Sequence, residues 1–300
     1  MVYVSFNFLH MIFVIDSGST KCDWIAIDSS TGNQLFEKQR TKGLNPAIIS
    51  DTDAHDIIKE NEVIYSNKLS VSHIYFYGAG CGTKKPVKML KGVLQSIFKN
   101  AEVVVKEDTY AAVYATVGVS HSPAVVCILG TGSNCSYYDG KLIDQKIISL
   151  GYSVMDDASG NYYGRQLLRD YYFDHMPHDL KLVFKTRYDV NDDVIKSNLY
   201  KKPNPNAYLA TFAEFMILNK ESDYIQKVIK DGLREFVENM ILQYKEELMT
   251  VPVHFAGSIA YFTQDEIKEV AREYGFTVGN FERRPIEGLV EYHSEIAKIS

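Results

Sequence analysis

Two short turns rich in glycine and hydroxyl residues are the segments of this sequence best suited to chemistry. The segments 16–20 (Asp-Ser-Gly-Ser-Thr) and 130–134 (Gly-Thr-Gly-Ser-Asn) each follow an apolar run typical of a buried strand. Glycine lets the backbone approach a ligand and turn its amides toward it, and serine and threonine add hydroxyl donors. We therefore predict that the pair forms a two-sided clamp for a polyphosphate, whereas one such turn alone is more simply a structural hairpin.

The two turns belong to a pattern that occurs twice along the chain. Each half opens with a strand, the glycine-rich turn and a second strand, and then alternates helices with strands. The predicted strands are 12–15, 24–27, 34–36, 73–77, 102–105, 125–129, 136–138, 251–255 and 276–278, together with a strand that follows the turn at 139–140 and runs through 147–148. Residues 159–247 are predicted to be mainly helical, and a last helix is predicted from Pro285 onward. The pattern predicts an α/β fold made by degenerate duplication, with two halves that face a cleft.

The composition limits the classes of function. The chain has 300 residues, 46% of them hydrophobic, which is enough to bury the core of one large or two smaller domains. A net charge of −6 gives no general attraction to nucleic acid, and no apolar run is long enough to span a bilayer. Four cysteines without metal-ligand spacing fit a reducing cytosol. We expect residues 1–10 to be a dispensable extension and Met11 to be the start.

A third segment, 255–260 (Phe-Ala-Gly-Ser-Ile-Ala), completes a family resemblance. With the two turns, it resembles in order the first phosphate, second phosphate and adenosine motifs of the sugar kinase, hsp70 and actin ATPase superfamily. Within that superfamily the chain is most similar to the N-acetylglucosamine kinase branch, grouped with the activator ATPases of benzoyl-CoA reductase and 2-hydroxyacyl-CoA dehydratases. The resemblance implies two ribonuclease-H-like (actin-like ATPase) domains flanking a nucleotide and substrate cleft. The expected domains are 11–117, joined by the C-terminal helix 286–300, and 118–285 with a helical insertion.

The resemblance also implies ATP and Mg²⁺ as cofactors. The nucleotide-binding residues that it implies are Ser17, Gly18, Ser19, Thr20, Thr131, Gly132, Gly257 and Ser258. It assigns Asp16 to the Mg²⁺ site, and it makes Asp108 the general base that takes a proton from a sugar hydroxyl. Read without the family, Asp16 could simply initiate a turn and Asp108 could cap a helix.

Two further segments resemble the sugar-binding parts of the hexosamine-kinase branch. Residues 43–46 (Gly-Leu-Asn-Pro) resemble its Gly-x-Asn loop, and residues 155–160 (Met-Asp-Asp-Ala-Ser-Gly) resemble its Gly-Asp-Glu-Gly-Ser-Gly segment. Asn45 and Asp156, together with Thr131 and Gly132, would then contact the substrate, although Asn45 before a proline is as readily a plain turn.

The chain also departs from the pattern of that branch. Met155 and Ala158 stand where the family has glycine, and Leu150 stands where tryptophan is usual. These departures leave the sugar specificity more open than the kinase chemistry.

The resulting prediction is a cytoplasmic, ATP-dependent kinase of an amino sugar, with N-acetylglucosamine phosphorylated at its 6-hydroxyl as the first candidate. Its partners would be the small-molecule sugar and ATP, without nucleic acid or membrane, and a homodimer stays open. The alternatives are a kinase of glucosamine, N-acetylmuramate or N-acetylmannosamine, an activator ATPase that drives a partner redox enzyme, and a nucleotide-binding regulator without catalysis. Cys81 and Cys135 form no evident ligand pair for an iron–sulfur cluster, which counts against the activator.

Overall fold

The protein is described by a computed structural model that covers residues 11–18 and 21–299. The strands are β1 Met11–Ser17, β2 Lys21–Asp28, β3 Gln39–Lys42, β4 Val71–Gly78, β5 Glu102–Glu107, β6 Ala124–Leu129, β7 Ser133–Tyr138, β8 Ile143–Asp144, β9 Val253–Ala256 and β10 Val278–Glu282. The helices are α1 Asp51–Glu60, α2 Glu62–Ser66, α3 Lys84–Ile97, α4 Asp108–Val117, α5 Gly160–Tyr172, α6 His178–Arg187, α7 Asp192–Tyr200, α8 Pro205–Thr211, α9 Ala213–Leu218, α10 Asp223–Asn239, α11 Ser258–Phe262, α12 Gln264–Tyr274 and α13 Pro285–Ile299.

The chain divides into two compact units. The first holds the described residues up to His121 and those from Pro285 onward. Its sheet has the order β3-β2-β1-β4-β5, in which β1 is antiparallel to β2 and parallel to β4, and β4 is parallel to β5. The carboxyl ends of β1, β4 and β5 therefore meet at one edge of this sheet. Helix α13 packs on this unit, where Gly288 lies against Ala115 of α4.

The second unit comprises Ser122–Arg284 and repeats the same topology. Its sheet has the order β10-β9-β6-β7-β8, with β6 antiparallel to β7 and parallel to β9, and β9 parallel to β10. The segment between β8 and β9 supplies helices α5 to α10. Two five-stranded mixed sheets of equal topology confirm the predicted α/β duplication.

Each unit has its own apolar core. In the first, Phe13 and Trp24 are fully buried and meet edge to face, with ring centroids 5.6 Å apart. Helix α3 turns Leu90, Leu94 and Ile97 into that core, as the helical spacing of its apolar residues requires. No helix among the described residues is long and apolar enough to cross a bilayer.

Two of the predicted strands differ from those in the structure. The segment 34–36 contributes one bridge, Gln34 to Ile27, and the third strand is instead the polar β3. The strand predicted from the turn at 139–140 through 147–148 is present but shorter, because β8 ends at Asp144. Beyond it, the Lys146 amide donates to the Tyr244 hydroxyl at 3.0 Å. The Tyr244 side chain, from a distant segment, therefore binds the Lys146 backbone where a longer strand would have bonded to a neighbouring strand.

Candidate functional site

Asp16 stands at the end of β1, at the edge of the first sheet where β4 and β5 also end. Its register partner on β2 is Asp23. Burial, with the nearby carboxylates of Asp108 and Asp23, raises the pKa of Asp16 to about 6 against the opposing charge of Lys21. The structure therefore brings Asp16 and Asp108 into one electrostatic environment, in which the third carboxylate, Asp23, is ion-paired with Arg40.

The turn after β1 is closed by its own backbone. The Gly18 amide donates to the Lys21 carbonyl at 3.0 Å. Ser17 is buried, and its hydroxyl accepts from the Leu44 amide at 2.8 Å and donates to the Gly18 carbonyl at 3.2 Å. The Ser17 side chain thus ties the turn to the loop that carries Asn45. Ser19 and Thr20 lie outside the described residues.

Asn45 is buried in the loop between β3 and α1. Its side-chain Oδ1 accepts from the Ala47 amide at 3.0 Å, and its carbonyl accepts from the Ile48 amide at 3.1 Å. Gly80, at φ +79°, backs this side chain so closely that a Cβ there would overlap Asn45 Oδ1. The structure therefore gives Asn45 a turn-forming role, as the plain interpretation of the sequence predicts, and fixes its amide beside the loop after β4.

Asp108 is the first residue of α4, directly after β5. The N-cap position is Glu107, which makes no side-chain cap bond. The Asp108 side chain is exposed to solvent, yet surrounding protein atoms raise its pKa above the ordinary value. Asp108 therefore occupies the first helical turn, where its carboxyl also interacts with the backbone amides of Asp108 and Thr109.

In the second unit, the turn after β6 rests on the start of α5. The Gly130 amide donates to the Gly132 carbonyl at 2.9 Å, and the Gly160 amide donates to the Gly130 carbonyl at 2.8 Å. The Thr131 carbonyl accepts from both the backbone amide and the side-chain Nδ2 of Asn161, at 3.0 and 2.6 Å. These two bonds fix the carbonyl of Thr131, and the residue as a whole is exposed to solvent.

Asp156 lies against the same turn. Its carboxylate accepts from the Ser133 amide at 3.3 Å and from Asn161 Nδ2 at 2.8 Å. Gly132 is so close that a Cβ built on it would lie 2.8 Å from Asp156 Oδ2. Asp156 has φ +72° and Ala158 has φ +56°, which are left-handed conformations that residues other than glycine rarely adopt. The glycine that the family has at position 158 thus has a conformational explanation.

Gly257 completes this arrangement at the end of β9. At φ +109° it adopts a conformation that favours glycine, and a Cβ there would overlap the carbonyl of Leu129 and lie 3.1 Å from the Gly130 nitrogen. The next residue, Ser258, begins α11 and is exposed. In the second unit the structure therefore brings together Thr131, Gly132, Asp156, Gly257 and Ser258.

Sequence reasoning did not identify two residues of these arrangements. Asn161 joins Thr131 to Asp156, and Gly80 shapes the environment of Asn45. The signal for Gly80 was present, because a Gly-Ala-Gly segment follows strand β4. Asn161 had no such signal, since its contacts depend on the left-handed residues that fold the preceding loop back onto the turn.

Comparisons with known proteins identify the family and the fold. Neither a protein-family model nor a curated protein sequence matches the chain. Among solved structures, a candidate N-acetylglucosamine kinase from Porphyromonas gingivalis is 31% identical, covers 95% of this chain and 99% of its own, and superposes with a TM-score of 0.86. A candidate N-acetylglucosamine kinase from Chromobacterium violaceum is 13% identical over 95% of this chain and 99% of its own, with a TM-score of 0.73.

A more distant structure shows the fold alone. A ROK family glucokinase from Streptomyces griseus, in complex with glucose and AMPPNP, is 15% identical over 97% of this chain and all of its own, with a TM-score of 0.58. The family assignment therefore rests on the Porphyromonas gingivalis protein, because its sequence identity to this chain extends over nearly the whole of both chains. On that likeness, the chain belongs to the N-acetylglucosamine kinase branch of the sugar kinase and actin-like ATPase superfamily.

Proposed function

We propose that the protein transfers the γ-phosphate of ATP to the 6-hydroxyl of an amino sugar, with N-acetylglucosamine as the first candidate. That it is an ATP-dependent sugar kinase follows from its family, and the proposal concerns the acceptor and the residues. The observation that carries the proposal is the contact of Asp156 with the glycine-rich turn, where its carboxylate accepts from the Ser133 amide at 3.3 Å and leaves no room for a Cβ at Gly132. A carboxylate that can accept from sugar hydroxyls, beside backbone suited to a phosphate, supports this proposal.

The nucleotide-binding role is proposed for both turns and for the end of β9. In the first unit it falls on Ser17, Gly18, Ser19 and Thr20, with Ser17 acting through its backbone because its hydroxyl is engaged elsewhere. In the second unit it falls on Thr131, Gly132, Gly257 and Ser258. Phosphoryl transfer requires positioning and charge neutralisation more than covalent chemistry. Glycines that permit close approach, beside an exposed hydroxyl at Thr131, suit that requirement.

Asp108 is proposed as the general base. It would accept the proton of the sugar hydroxyl as that oxygen attacks the γ-phosphate. A raised pKa makes a carboxylate a stronger base, and the protein surroundings shift the pKa of Asp108 in that direction. Asn45 in the first unit and Asp156 in the second are each proposed to contact sugar hydroxyls, Asp156 through its carboxylate.

Asp16 fits a magnesium site by its electrostatics. Burial and the neighbouring carboxylates of Asp108 and Asp23 raise its pKa, and a bound divalent cation would relieve the repulsion between Asp16 and Asp108. When bound, Mg²⁺ neutralises charge on the phosphates. Asp16 would hold it at the end of β1, through water or directly.

The activator-ATPase alternative finds no support in the cysteines. Cys81, Cys127 and Cys135 are buried, and Cys127 Sγ lies 3.5 Å from Cys135 Sγ across the β6–β7 hairpin. Buried thiols inside a core do not offer the accessible ligands that a shared cluster needs. The same free thiols support the proposed cytoplasmic location.

The decisive experiment measures ADP release from Mg-ATP by the purified protein over a panel of N-acetylglucosamine, glucosamine, N-acetylmannosamine and N-acetylmuramate. Stimulation by N-acetylglucosamine, with the phosphate located on the 6-hydroxyl by NMR, is the expected result. ATP hydrolysis that responds to none of these sugars would overturn the proposal in favour of an activator or a regulator.

A further inference from the structure

One hydrogen bond of the Ser17 hydroxyl leaves the glycine-rich turn to which Ser17 belongs. Ser17 is the last residue of β1, and only 1% of its surface is exposed. Within the turn its hydroxyl donates to the Gly18 carbonyl at 3.2 Å, and outside the turn it accepts from the Leu44 amide at 2.8 Å. The shorter of these bonds therefore joins the end of β1 to the loop 43–46, in which Asn45 follows Leu44.

The backbone carbonyl of Ser17 reaches the surroundings of Asn45 by a second route. It accepts from the Ala79 amide at 2.9 Å, and this bond holds the segment that follows β4. In that segment Gly80 lies so close to Asn45 that a Cβ built on it would overlap the Asn45 side chain. The loop with Asn45 is therefore linked to Ser17 on two sides, through Leu44 and through Gly80.

The Leu44 amide has the Ser17 hydroxyl as its hydrogen-bond partner. Leu44 is fully buried, and a buried amide that loses its partner costs free energy. Packing of the Leu44 side chain in the apolar core also holds the loop, but apolar contacts have no preferred direction. The bonds from the Ala47 and Ile48 amides to Asn45 shape the turn itself. The bond to Ser17 therefore orients the start of this turn against the sheet.

Resting on the proposed function, we propose that Ser17 is a positioning residue for the sugar. The family resemblance assigns its motif to the phosphates, and the backbone of Ser17 keeps that role. Its hydroxyl instead sets the loop that carries Asn45, and it acts on sugar affinity through that residue. One residue of the nucleotide turn therefore serves both substrates, the nucleotide through its backbone and the sugar through its side chain.

The variant Ser17→Ala tests the proposal by steady-state kinetics with the sugar that the wild type phosphorylates best. Loss of one hydrogen bond should raise the sugar KM by roughly three- to tenfold and leave the ATP KM within about twofold of the wild type. A residue that served the nucleotide alone would show the opposite pattern. Ser17→Thr keeps the hydroxyl in a strand, where β-branched residues fit well, and it should restore the sugar KM.

The matched control is Ser72→Ala, at the other end of the same sheet. The Ser72 hydroxyl donates to the Met11 carbonyl at 3.2 Å, so this variant also removes a serine hydroxyl bond from the sheet, away from the loop 43–46. Both KM values should stay near those of the wild type. Denaturant titration of each variant separates a loss of folded protein from a change in affinity.

A double-mutant cycle with Asn45→Ala shows whether Ser17 acts through Asn45. Asn45→Ala alone should raise the sugar KM, and adding Ser17→Ala should raise it little further. Two independent effects would multiply, as would a general weakening of the fold.

The wild type supplies the test for the case in which Ser17→Ala does not fold. Exchange of the Leu44 amide hydrogen, followed by NMR, should be slower than that of an exposed amide by at least about a hundredfold, because its partner is buried. Saturation with N-acetylglucosamine should slow this exchange further, since a bound sugar holds the loop through Asn45. Fast exchange, or exchange indifferent to the sugar, would show that Ser17 does not set this loop for the sugar.

The kinetic outcomes separate this positioning role from the proposed function. Equal rises in the two KM values for Ser17→Ala, a rise confined to ATP, or multiplied effects in the cycle would overturn the positioning role and leave the kinase assignment standing. If the wild type phosphorylates no hexosamine, the proposed function falls and the positioning role falls with it.

Discussion

The two glycine-rich turns follow the same strand–turn–strand plan but differ in what surrounds them. Beside the first turn, burial together with the carboxylates of Asp108 and Asp23 raises the pKa of Asp16 to about 6. Beside the second turn, the neighbours are mostly backbone: Gly257 fits against Leu129, and the Gly160 amide bonds the Gly130 carbonyl at 2.8 Å. Charged side chains therefore dominate the surroundings of the first turn, and close backbone packing dominates those of the second.

This difference shows that duplicating a fold does not duplicate its chemistry. Both sheets present a hairpin turn at the same topological position, and the side chains delivered to that edge decide what the turn can do. Changing charge near the first turn should alter the rate of reaction. Changing shape near the second turn should alter folding and ligand binding.

The largest effect is expected from Asp108→Asn in the first unit. The amide keeps the size of the side chain but cannot accept the sugar proton, so kcat should fall by about 10²–10⁴. Steady-state phosphorylation of the best sugar measures the loss, and stabilisation of the protein by Mg-ATP should persist. Glu107→Gln, one residue earlier, is the matched control and should lose far less. Normal turnover by Asp108→Asn would show that another group is the base.

In the second unit, Gly257→Ala should test shape. A Cβ there overlaps the Leu129 carbonyl at a φ of +109°, so we expect unfolding to become easier by about 3 kcal/mol or more. The control is Gly130→Ala, where a Cβ meets no described atom within 4 Å, and its unfolding free energy should stay near that of the wild type. Denaturant titration compares the two. Equal stabilities would show that the close approach at Gly257 has no energetic weight.

A third variant, Asp156→Ala, tests both kinds of role at one residue. Loss of hydrogen bonds to a charged group should raise the sugar KM by roughly ten- to hundredfold. Because the same carboxylate also holds the Ser133 amide and Asn161, we expect a smaller rise in the ATP KM. Asp139→Ala, in an exposed turn of the same unit, is the control. An unchanged sugar KM would remove Asp156 from the substrate site.

Much of this architecture could be predicted from local sequence. Apolar runs that end at glycine-rich turns correctly predicted both hairpins, and a helix does begin at Asp108, a residue that from the sequence alone could cap a helix. These features are local, because strand ends and helix starts depend on a few neighbouring residues. The predictions of family and fold, which were confirmed, rest on three such local motifs that occur in the expected order.

Features set by distant contacts could not be predicted in this way. Strand β3 has the polar sequence Gln-Arg-Thr-Lys, and long-range bonds hold it: Arg40 Nε to Asp23 at 2.6 Å and Trp24 Nε1 to Thr41 Oγ1 at 3.1 Å. The bridging role of Asn161 likewise depends on left-handed backbone at Asp156 and Ala158. No pattern of hydrophobicity encodes a backbone conformation of that kind in an alanine.

The two units also allow a comparison of pH dependence. In the first, His293 of α13 is buried, lies 2.9 Å from the Tyr77 hydroxyl, and has its pKa lowered to about 3, mainly by burial. Since the unfolded chain binds this proton near pH 6.5 and the folded chain does not, stability is full above that pH. It should fall by up to about 1.4 kcal/mol per pH unit below it.

Replacing His293 should make the free energy of unfolding less dependent on pH in the acid range. His293→Gln keeps a polar partner for Tyr77 but cannot become charged, so its stability should decline less steeply between pH 6.5 and 4. His175→Gln in the second unit, where the side chain is exposed, should follow the wild type. Denaturant titrations across this range measure the slopes. Identical slopes for His293→Gln and wild type would show that the buried imidazole is not the group responsible.

The smallest expected effect concerns Ala158, which lies in the loop before α5 at φ +56° and is fully buried. Changing it to glycine removes a buried methyl group, which costs about 0.8 kcal/mol. The change also relieves left-handed strain of about 1–2 kcal/mol. The two terms nearly cancel, so Ala158→Gly should be as stable as the wild type or slightly more stable.

The control is Ala271→Gly, in the buried face of α12. It loses a methyl group without relief of strain, and this should lower the free energy of unfolding by about 1–2 kcal/mol. If both variants lose equal stability, the left-handed conformation at Ala158 carries no strain, and the family's glycine at this position needs another explanation.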